Sequence, residues 1–520
     1  MAFPLHLQNT NMNTRDTMLK KLTLTALLVQ AAFQPAAQAA SLSDAATATA
    51  RYALETYPQQ MTAALAAMVS HNTVADPALT ADKNPAHLGF KQLLKEEAAR
   101  LGLDYKDHGY VVVIGLGESA DRVGIITHGD VQPVNPAKWA KSPFELDSTS
   151  EPGRLIARGA EDDKGPIATA MYAMKAIKDQ KVALKKRLEL YVYMAEESDW
   201  APLEAFLKDH VPPQMNITLD AEYPAVTAEK GWGMVKVTMP ALPVPAAAGK
   251  GPLLREFAGG FFGSQIPEDA SAVIANATPA LEKQIRARAA RQKGMRYQYA
   301  WQGRELKITA LGVSAHSSTP QDGVNAISML ADALKVQPWK ATAAAGMVTM
   351  LNDLVGTGLY GERFGKAAYR DDFMGPMTVA PTVLKQKDGG IELNINLRRP
   401  RGKATAQLQA EFQQAFDEWK RTHVQQASIA MQIGEPWVQT DAPQLPVLLD
   451  VFSHYTGIRN AKPKSIGGGT NSRLFPKAVA FGPAMPDTPY TGHSEHEFIT
   501  TKQLMLNLQM YTAVLVELAR

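Results

Sequence analysis

Short apolar runs alternate with stretches of helical periodicity from about residue 50 to residue 230. Three of the runs are rich in branched and aromatic residues and bounded by polar turns, as is typical of buried strands: Tyr110–Gly115, Val123–Thr127 and Leu188–Met194. Between the last two, apolar residues from Ile167 to Ile177 recur at intervals of three and four, which marks one face of a helix. This order predicts an α/β fold with a mostly parallel central sheet flanked by helices.

The middle of the chain follows a different pattern. It includes a strand-like run at Lys307–Leu311, a helical stretch near Asn325–Leu334 and the turn signal Asp388-Gly389-Gly390 between two apolar runs. Because a chain of 520 residues exceeds the ~250–300 residues of a single core, we expect two domains. They are a discontinuous α/β domain, residues 41–231 and 433–520, and an α+β domain, residues 232–432, inserted into it.

The N-terminus has the order of a secretory signal peptide. Basic Lys20-Lys21 precedes the apolar run Leu22–Phe33, and the small-residue site Ala37-Gln38-Ala39 follows. The apolar run is shorter than the ~20 residues that cross a bilayer, and no later segment is long and apolar enough. We therefore expect residues 1–40 to be an N-terminal extension and cleaved signal peptide, and the mature protein to be periplasmic or secreted without a membrane span. An amphipathic anchor helix is the alternative.

The balance of charges limits the classes of function. The chain has 54 Lys and Arg and 51 Asp and Glu, a formal net charge of +3. This argues against a nucleic-acid-binding protein, because such proteins carry a strong basic excess or stripe. The chain has no cysteine, which excludes disulfides, thiolate metal sites and cysteine nucleophiles. Any transition-metal site must therefore use His, Asp and Glu.

Polar motifs follow several of the predicted strands. Four of them fall where a buried strand ends, and a fifth lies near the C-terminus: Thr127–Asp130, Arg158–Gly165, Glu196-Glu197, Asp220–Glu222 and His493–Glu497. Ligands of α/β sheets bind beyond the carboxyl ends of the strands, so we expect these motifs to converge. Taken singly, each motif has a structural alternative, such as a hydrogen-bonded histidine, a solvated acidic pair or a helix N-terminus.

Together the motifs supply several carboxylates and two imidazoles. Such a set suits two zinc ions ~3.5–4 Å apart that activate a water between them. The doublet Glu196-Glu197 supplies one metal ligand and, beside it, a free base for that water. Co²⁺ or Mn²⁺ fit the same nitrogen and oxygen ligands. The sequence therefore predicts a hydrolytic site with two Zn²⁺ per chain.

The motifs in their order, HGD, RGxxDDKGP, AEES, DAE, GGGTNSR and HSxxE, resemble the co-catalytic zinc exopeptidases of the aminoacylase and glutamate-carboxypeptidase type. The sequence looks most like the carnosinase and dipeptidase V branch, for which RGxxDDKGP and DAE followed by an aromatic residue and Pro are the closer marks. The likeness runs from about residue 60 to the C-terminus. It implies a zinc-exopeptidase-like catalytic domain and an inserted α+β lid domain.

Five residues match metal ligands of this family: His128, Asp162, Glu197, Asp220 and His493. By the resemblance, His128 and Asp220 would hold one zinc ion. Glu197 and His493 would hold the other. Asp162 would bridge the two ions, and family members often have a cis peptide bond after this residue, here before Asp163.

The resemblance also implies roles for residues around the metals. Asp130 would orient His128 from behind, and Glu196 would act as the general base and then as the acid that protonates the leaving amine. His316 matches the lid histidine that stabilises the oxyanion in the closed state. Arg398 matches the arginine that holds the free carboxylate of the substrate. Three residues of one turn match positions that help to bind that carboxylate: Gly468, Gly469 and Thr470.

Three details of this site have alternatives. Arg399 stands beside Arg398, and alternation along a strand lets only one of them face the cleft. His496 lies close to His493 in the sequence, and we interpret it as a surface or hydrogen-bonding residue rather than a ligand. The inserted domain expected here, residues 232–432, is long for a lid. In the dipeptidase V branch such a long lid is associated with a self-sufficient monomer. We therefore favour a monomer in which His316 acts within its own chain, with a dimer as the alternative.

These inferences predict an exported two-zinc dipeptidase that hydrolyses short peptides with a free C-terminal carboxylate, through a metal-bridging water activated by Glu196. The nearest alternative is an N-acyl amino acid amidohydrolase or carboxypeptidase on the same scaffold. A non-catalytic periplasmic peptide-binding protein is the alternative from another class, but such a protein needs no free base beside its ligands. The predicted partner is thus a small peptide, not a nucleic acid.

Overall fold

A computed structural model describes residues 42–242, 251–486, 488 and 490–520 of the chain. The predicted signal peptide, residues 1–40, lies outside the described residues. The helices of the described part are α1 Asp44–Thr56, α2 Pro58–Val69, α3 Pro85–Leu101, α4 Lys164–Asp179, α5 Ala201–Asp209, α6 Pro279–Ala289, α7 Ala326–Ala333, α8 Ala343–Met350, α9 Thr405–Thr422, α10 Leu445–Thr456 and α11 Thr501–Ala519. Several begin at capping side chains: Asn84, Asn325 and Thr500 each accept a hydrogen bond from a backbone N–H in the first turn of α3, α7 and α11.

The apolar runs near both ends of the chain pair into one nine-stranded sheet. Its strands are β1 Asp104–Asp107, β2 Val111–Leu116, β3 Arg122–His128, β5 Arg187–Tyr193, β6 Asn216–Thr218, β8 Val226–Glu229, β21 Trp437–Val438, β22 Lys464–Ile466 and β23 Ala478–Ala480. Strands β5, β3, β6 and β23 form a parallel centre, whereas β1–β2, β2–β5, β23–β8 and β8–β21 are antiparallel. Strand β22 also pairs with β8 in parallel. The sheet is therefore mixed, with the predicted parallel strands at its centre and antiparallel strands added to them. A short turn joins β1 to β2 and leaves no room for the crossover that parallel pairing needs.

Helices α4 and α11 pack in the core on this sheet. The helix predicted from one apolar face, Ile167–Ile177, is α4, but its residues from Lys164 to Ile177 are buried apart from Lys175. The reason is that α1, α2 and α11 cover the side of α4 that a single layer of helices would leave in water. We refer to the part of the chain built on the nine-stranded sheet as the α/β domain.

The middle of the chain forms a second sheet, antiparallel throughout, with its own hydrophobic core. Its strands are β9 Gly231–Met239, β10 Leu253–Gly259, β12 Asp269–Ala275, β13 Arg296–Gln302, β14 Glu305–Leu311, β18 Thr378–Lys387, β19 Gly390–Arg399 and β20 Ser428–Ile433. The predicted turn joins β18 to β19, and both Asp388 (φ 51°) and Gly389 (φ 76°) are left-handed, as a tight hairpin requires. We refer to this part as the inserted domain. The predicted boundaries at 231/232 and 432/433 stay a prediction.

Short two-stranded pairs complete the fold. They are β4 Arg154–Ile156 with β25 Phe498–Thr500, β7 Ala221–Glu222 with β24 Pro483–Ala484, β11 Gln265–Ile266 with β15 Ala315–His316, and β16 Arg370–Asp371 with β17 Gly375–Pro376. Among the helices of the described residues, none has the length and apolar character needed to cross a membrane.

Candidate active site

Adjacent parallel strands bring the predicted motifs to one edge of the nine-stranded sheet. β3 ends at His128, and its neighbours β5 and β6 end shortly before Glu196-Glu197 and Asp220. Asp162 precedes α4, which packs on β3 and β5. The carboxyl ends of parallel strands thus gather residues that are distant in sequence, as predicted from the motif positions.

The five predicted metal ligands lie side by side. His128 Nε2 is 2.8 Å from Asp162 Oδ1 and 3.8 Å from Asp220 Oδ2. His493 Nε2 is 3.1 Å from Asp162 Oδ2 and 2.9 Å from Glu197 Oε1. The two oxygens of Asp162 therefore face the two imidazoles, which is the arrangement expected of a carboxylate that bridges two ions.

Both imidazoles lie in surroundings that strongly favour positive charge. Burial lowers the pKa of His128, but its hydrogen bonds with Asp130 and Asp162 outweigh burial and hold the pKa well above its usual value. Burial also lowers the pKa of His493, but the charge of Glu197 and the hydrogen bond to Asp162 outweigh it and raise the pKa to about 10. Such a surplus of negative charge is what a site for cations requires.

The donor set fits divalent metal ions. Ligand atoms of His128, Asp162 and Glu197 lie within 4.8 Å of one another, and so do those of His128, Glu196 and Asp220. The side chains of these carboxylates are all largely buried, Asp220 being the most exposed at 15%. Carboxylate oxygens together with imidazole nitrogens suit Zn²⁺, Co²⁺ and Mn²⁺, so the residues present can hold the predicted ions.

The carboxylate of Asp130 binds the backbone N–H groups of the acidic doublet Glu196-Glu197. Its Oδ1 accepts a hydrogen bond of 2.9 Å from the N–H of Glu196, and its Oδ2 one of 3.0 Å from the N–H of Glu197. His128 Nδ1 lies 3.1 Å from the carbonyl oxygen of Asp130 and 3.4 Å from its carboxylate. The predicted orientation of His128 thus involves the Asp130 main chain as well as its carboxylate. The hydrogen bonds from the backbone of Glu196 and Glu197 to Asp130 were not predicted.

A second buried carboxylate shapes the loop that carries Asp162. Glu497 accepts hydrogen bonds from the backbone N–H groups of Glu161 (2.9 Å) and Asp162 (3.0 Å). Tyr490 donates its hydroxyl hydrogen to Asp162 Oδ2. The peptide bond between Asp162 and Asp163 is cis, as the resemblance implied. The last residue of the HSxxE motif therefore positions the predicted bridging ligand from the far end of the chain.

Glu196, the predicted base, is 9% exposed and lies among other carboxylates. Burial raises its pKa well above the usual value, and the nearby charge of Asp220 acts in the same direction. Its Oε1 accepts a hydrogen bond of 3.1 Å from the backbone N–H of Asn471. A carboxylate whose pKa is raised in this way is better suited to take up a proton than an ordinary glutamate.

A cavity of about 680 Å³ opens over these residues, between the α/β domain and the inserted domain. Ten of the twelve predicted site residues line it: Asp162, Glu196, Glu197, Asp220, His316, Arg398, Gly468, Gly469, Thr470 and His493. The other two, His128 and Asp130, are buried. A cavity of this size is typical of sites for small molecules.

His316 enters the cavity from the inserted domain of the same chain. Its ring centre lies 4.7 Å from that of His493, and its Nδ1 is 2.5 Å from the hydroxyl of Ser318. Burial lowers the pKa of His316 well below its usual value, and the nearby charges of His493 and Arg398 act in the same direction. A neutral imidazole can donate one hydrogen bond to a developing negative charge.

The two neighbouring arginines of β19 point to opposite sides of the sheet. Arg398 lines the cavity, where its Nε donates to Asn396 Oδ1 at 3.0 Å. Arg399 is 1% exposed and its guanidinium binds Thr405 and the carbonyl of Lys403 instead. Among the described residues no acidic side chain forms an ion pair with Arg398. The guanidinium in the cavity is thus available to an anionic ligand, and the choice left open by the sequence falls on Arg398.

The predicted carboxylate-binding turn is built on a buried acidic residue. Thr470 Oγ1 donates to Glu229 Oε1 at 2.7 Å, and Arg473 Nη2 lies 2.9 Å from Glu229 Oε2. Thr470 also caps the 3₁₀ turn Asn471–Leu474, accepting from the N–H of Ser472. The turn that lines the cavity is therefore fixed to β8, and through Asn471 to the predicted base.

His496 points away from this cavity, as the interpretation of it as a surface residue requires. Its side chain is 52% exposed, and its Nε2 lies 2.8 Å from Glu151 Oε1. The ligand candidate in the HSxxE motif is thus His493.

Sequence reasoning missed several residues that complete the site. Tyr490 contacts Asp162, and Asn471 contacts Glu196. Ser264 Oγ lies 3.0 Å from His493 Nδ1. Asn471 was part of a motif without an assigned role. Tyr490 and Ser264 had no local signal, because only the fold brings them to the cavity.

Comparisons with known proteins agree with this arrangement. The sequence profile of peptidase family M20/M25/M40 matches residues 124–517. The chain is 30% identical to "Putative dipeptidase YtjP" of Bacillus subtilis (strain 168), over 79% of this chain and 86% of that protein. It is 27% identical to "Beta-Ala-Xaa dipeptidase" of Lactobacillus delbrueckii subsp. lactis, over 81% and 87%.

The fold is similar to that of human carnosine dipeptidase 1, with a TM-score of 0.54 at 14% identity, over 92% of this chain and 99% of that chain. Likeness at this identity concerns the fold, and it confirms the predicted α/β class. The profile covers most of the chain, from β3 to α11, and includes every predicted metal ligand. The chain therefore belongs to peptidase family M20/M25/M40, the family that its motifs predicted.

Proposed function

We propose that this protein is a metal-dependent dipeptidase that cleaves short peptides with a free C-terminal carboxylate. One observation carries the proposal: a single cavity of about 680 Å³ is lined by the predicted base Glu196, by metal-ligand candidates and by the cationic side chain of Arg398. The two relatives named dipeptidases support this choice within the family.

The proposed metal centre holds two Zn²⁺. His128 and Asp220 would bind one ion, Glu197 and His493 the other, and Asp162 both, which accords with the contacts among these side chains. Bound metal would lower the pKa of water and polarise the peptide carbonyl. Co²⁺ and Mn²⁺ are compatible with the same donors.

In the proposed reaction, Glu196 moves the protons. It takes the two protons of the attacking water in turn and delivers them to the nitrogen of the leaving amine, so that the peptide bond is replaced by a carboxylate and a protonated amine. The backbone N–H of Asn471 donates to the Glu196 carboxylate, and Asp130 accepts a hydrogen bond from the backbone N–H of Glu196. Both contacts keep the Glu196 carboxylate in place. Its burial keeps bulk water from competing for the proton.

Two residues of the inserted domain bind the rest of the substrate. Arg398 would hold the C-terminal carboxylate by a charge-assisted, two-pronged hydrogen bond. His316 would donate a hydrogen bond to the carbonyl oxygen as negative charge develops on it. Because both reach the cavity from the inserted domain, closure of that domain would complete the site around bound substrate.

A substrate panel tests the proposal. Free dipeptides, a tripeptide and an N-acetyl amino acid are offered to the mature protein after chelation and after reloading with Zn²⁺. We expect zinc-dependent cleavage of free dipeptides, with much slower cleavage of the other two. Preferred hydrolysis of the N-acetyl amino acid would instead assign the chain to the amidohydrolases. No hydrolysis by protein that has bound two zinc ions would point to a peptide-binding protein.

We also propose export, on the signal-like order of Lys20-Lys21, the run Leu22–Phe33 and Ala37-Gln38-Ala39. Expression with a C-terminal tag, followed by fractionation and N-terminal sequencing of the mature chain, tests it. We expect a chain cleaved close to residue 40 in the periplasm or medium. An uncleaved chain in the cytoplasm would refute export.

We further propose that the protein works as a monomer, because His316 of the same chain already lines its cavity. Light scattering during size-exclusion chromatography tests this directly. A stable dimer whose activity falls on dilution would refute it.

A further inference from the structure

Two side chains of the inserted domain hold His493, the ligand candidate that comes from the far end of the chain. Ser264 Oγ lies 3.0 Å from His493 Nδ1. Gln265 Nε2 donates to the carbonyl oxygen of His493 at 3.3 Å. Both residues lie in or just before β11, in the inserted domain, whose His316 also packs its ring against that of His493. The Nε2 of His493 instead faces Asp162 and Glu197 of the α/β domain. His493 is thus held from both sides of the cavity.

The conformation of His493 explains why a second hold matters. Its φ is 65°, a left-handed backbone conformation that non-glycine residues rarely adopt. Its Nε2 faces Asp162 and Glu197, so its Nδ1 is the atom left to fix the rotation of the ring. Ligand histidines need a partner on the second nitrogen to fix tautomer and orientation. For His128 that partner is the carbonyl of Asp130, within the α/β domain.

Ser264 is linked to the histidine that the inserted domain brings to the cavity. β11 pairs with β15, with Gln265 opposite His316. The carbonyl of Ser264 also accepts a hydrogen bond of 2.8 Å from the N–H of Ser317. The same two-stranded ribbon therefore presents Ser264 to His493 and His316 to the cavity. A movement that withdraws one withdraws the other.

We propose that Ser264 is a positioning residue for the metal centre: its hydroxyl oxygen accepts the Nδ1 hydrogen of His493 and so directs Nε2 toward the metal. The inserted domain then does more than contact the substrate. Its closure supplies the outer partner of one metal ligand, so closure and metal affinity favour each other. This inference rests on the proposed metal centre.

Three substitutions isolate the hydroxyl. Ser264→Ala removes it, Ser264→Thr keeps a hydroxyl at the same position, and Ser317→Ala is the matched control. Ser317→Ala removes a buried hydroxyl of the same ribbon that has no hydrogen-bond partner among the described residues. It keeps the backbone N–H that binds the carbonyl of Ser264. Zn²⁺ affinity is measured for all variants by competition with a chromophoric chelator, with and without a non-hydrolysable phosphinic dipeptide that favours closure.

We expect Ser264→Ala to weaken binding of the more weakly held Zn²⁺ by about tenfold, the lower end of what loss of a partner behind a ligand histidine costs. The loss should be at least as large with the phosphinic dipeptide, because closure brings Ser264 to the ring. Ser264→Thr should restore most of the affinity, and Ser317→Ala should leave it within twofold of the wild type.

Three contrary outcomes can be told apart. Zinc affinities of Ser264→Ala within twofold of the wild type, both with and without the phosphinic dipeptide, would overturn the inference while leaving the proposed metal centre intact. A wild-type protein that binds no zinc would overturn the metal centre itself. An equal loss in Ser264→Ala and Ser317→Ala would show a general disturbance of the ribbon and also overturn the specific role of Ser264.

Discussion

The carboxylate of Asp130 accepts a hydrogen bond of 2.9 Å from the backbone N–H of Glu196, and its other oxygen serves Glu197 in the same way. Asp130 therefore fixes the spacing between the proposed base and a proposed metal ligand. Asp130→Asn keeps the size of the side chain but places an NH₂ group against one of these N–H donors. We expect kcat to fall by about 10- to 100-fold, the usual cost of disturbing groups behind a metal site.

Steady-state kinetics at saturating Zn²⁺ checks this prediction. Circular dichroism and the thermal midpoint serve as controls, since the substitution should leave the fold intact. A kcat within threefold of the wild-type value would contradict the role of Asp130.

Glu196→Gln tests the proposed proton transfer. The amide cannot take a proton from water, so we expect kcat to fall by about 10²–10⁴-fold, the contribution of a positioned acid–base group. Zinc content should stay at the wild-type level, because Glu196 is not one of the proposed ligands. Metal analysis on the same sample separates the two effects. A variant that loses zinc would show instead that Glu196 is a ligand, which its proximity to His128 and Asp220 permits.

Arg398 and Arg399 form a matched pair for testing carboxylate recognition. Arg398→Met should raise KM for free dipeptides and lower kcat/KM by about 100-fold, because a buried charge-assisted contact is lost. It should change the already slow cleavage of a C-terminally amidated dipeptide little. Arg399→Met removes the buried contacts with Thr405 and Lys403, so it should lower the thermal midpoint without a selective effect on KM. Equal KM effects of the two substitutions would contradict the assignment.

This pair also shows how far the sequence leads. The alternation rule established that only one arginine faces the cleft, but the choice depends on strand register, which is set by pairing with β9. The metal ligands and Glu196 were predictable because each lies in a local motif at the end of a strand. Ser264, Asn471 and Tyr490 were not, because their partners lie far away in the chain.

The sheet shows the same limit at the level of the fold. Apolar runs located β2, β3 and β5, yet an apolar run carries no direction, so the antiparallel β2–β5 pair did not follow from it. Likewise, the spacing of apolar residues in α4 marked only one face of a helix. That the other side is covered as well depends on α1 and α11, which lie at opposite ends of the described chain.

Lys230 gives a prediction for the pH dependence of stability. Burial, and then the charge of Arg398, lowers its pKa to about 8, from an ordinary value of 10.5. Between these two pH values the unfolded chain binds more protons than the folded chain, so the Lys230 contribution to the free energy of unfolding rises with pH. Lys230→Met removes this contribution. We therefore expect the stability of the variant, relative to the wild type, to fall as the pH is raised from 8 to 10.5.

Thermal midpoints of both proteins in metal-free buffer, at steps between pH 7.5 and 10.5, check this sign. The difference between the two proteins removes the contributions of the titratable groups that they share. Curves that run parallel over the whole range, or a relative stability that rises with pH, would contradict it.

The register of β9 against β19 predicts which side chain of the substrate is selected. Arg398 lies opposite Trp232 and Asn396 opposite Met234, and cross-strand partners share a face of the sheet. All four line the cavity. If Arg398 holds the C-terminal carboxylate, the side chain of the C-terminal residue extends along Trp232 and Met234, an apolar surface.

Met234→Ala should therefore lower kcat/KM for a dipeptide ending in Leu by about tenfold, in line with the loss of one or two methylene-sized contacts. The same N-terminal residue followed by Gly is the control, because glycine has no side chain to reach Met234 and its kcat/KM should change by less than twofold. Competition between the two dipeptides in one reaction, followed by chromatography of the products, measures the ratio directly. Equal losses for both substrates would mean that Met234 supports the cavity without selecting its occupant.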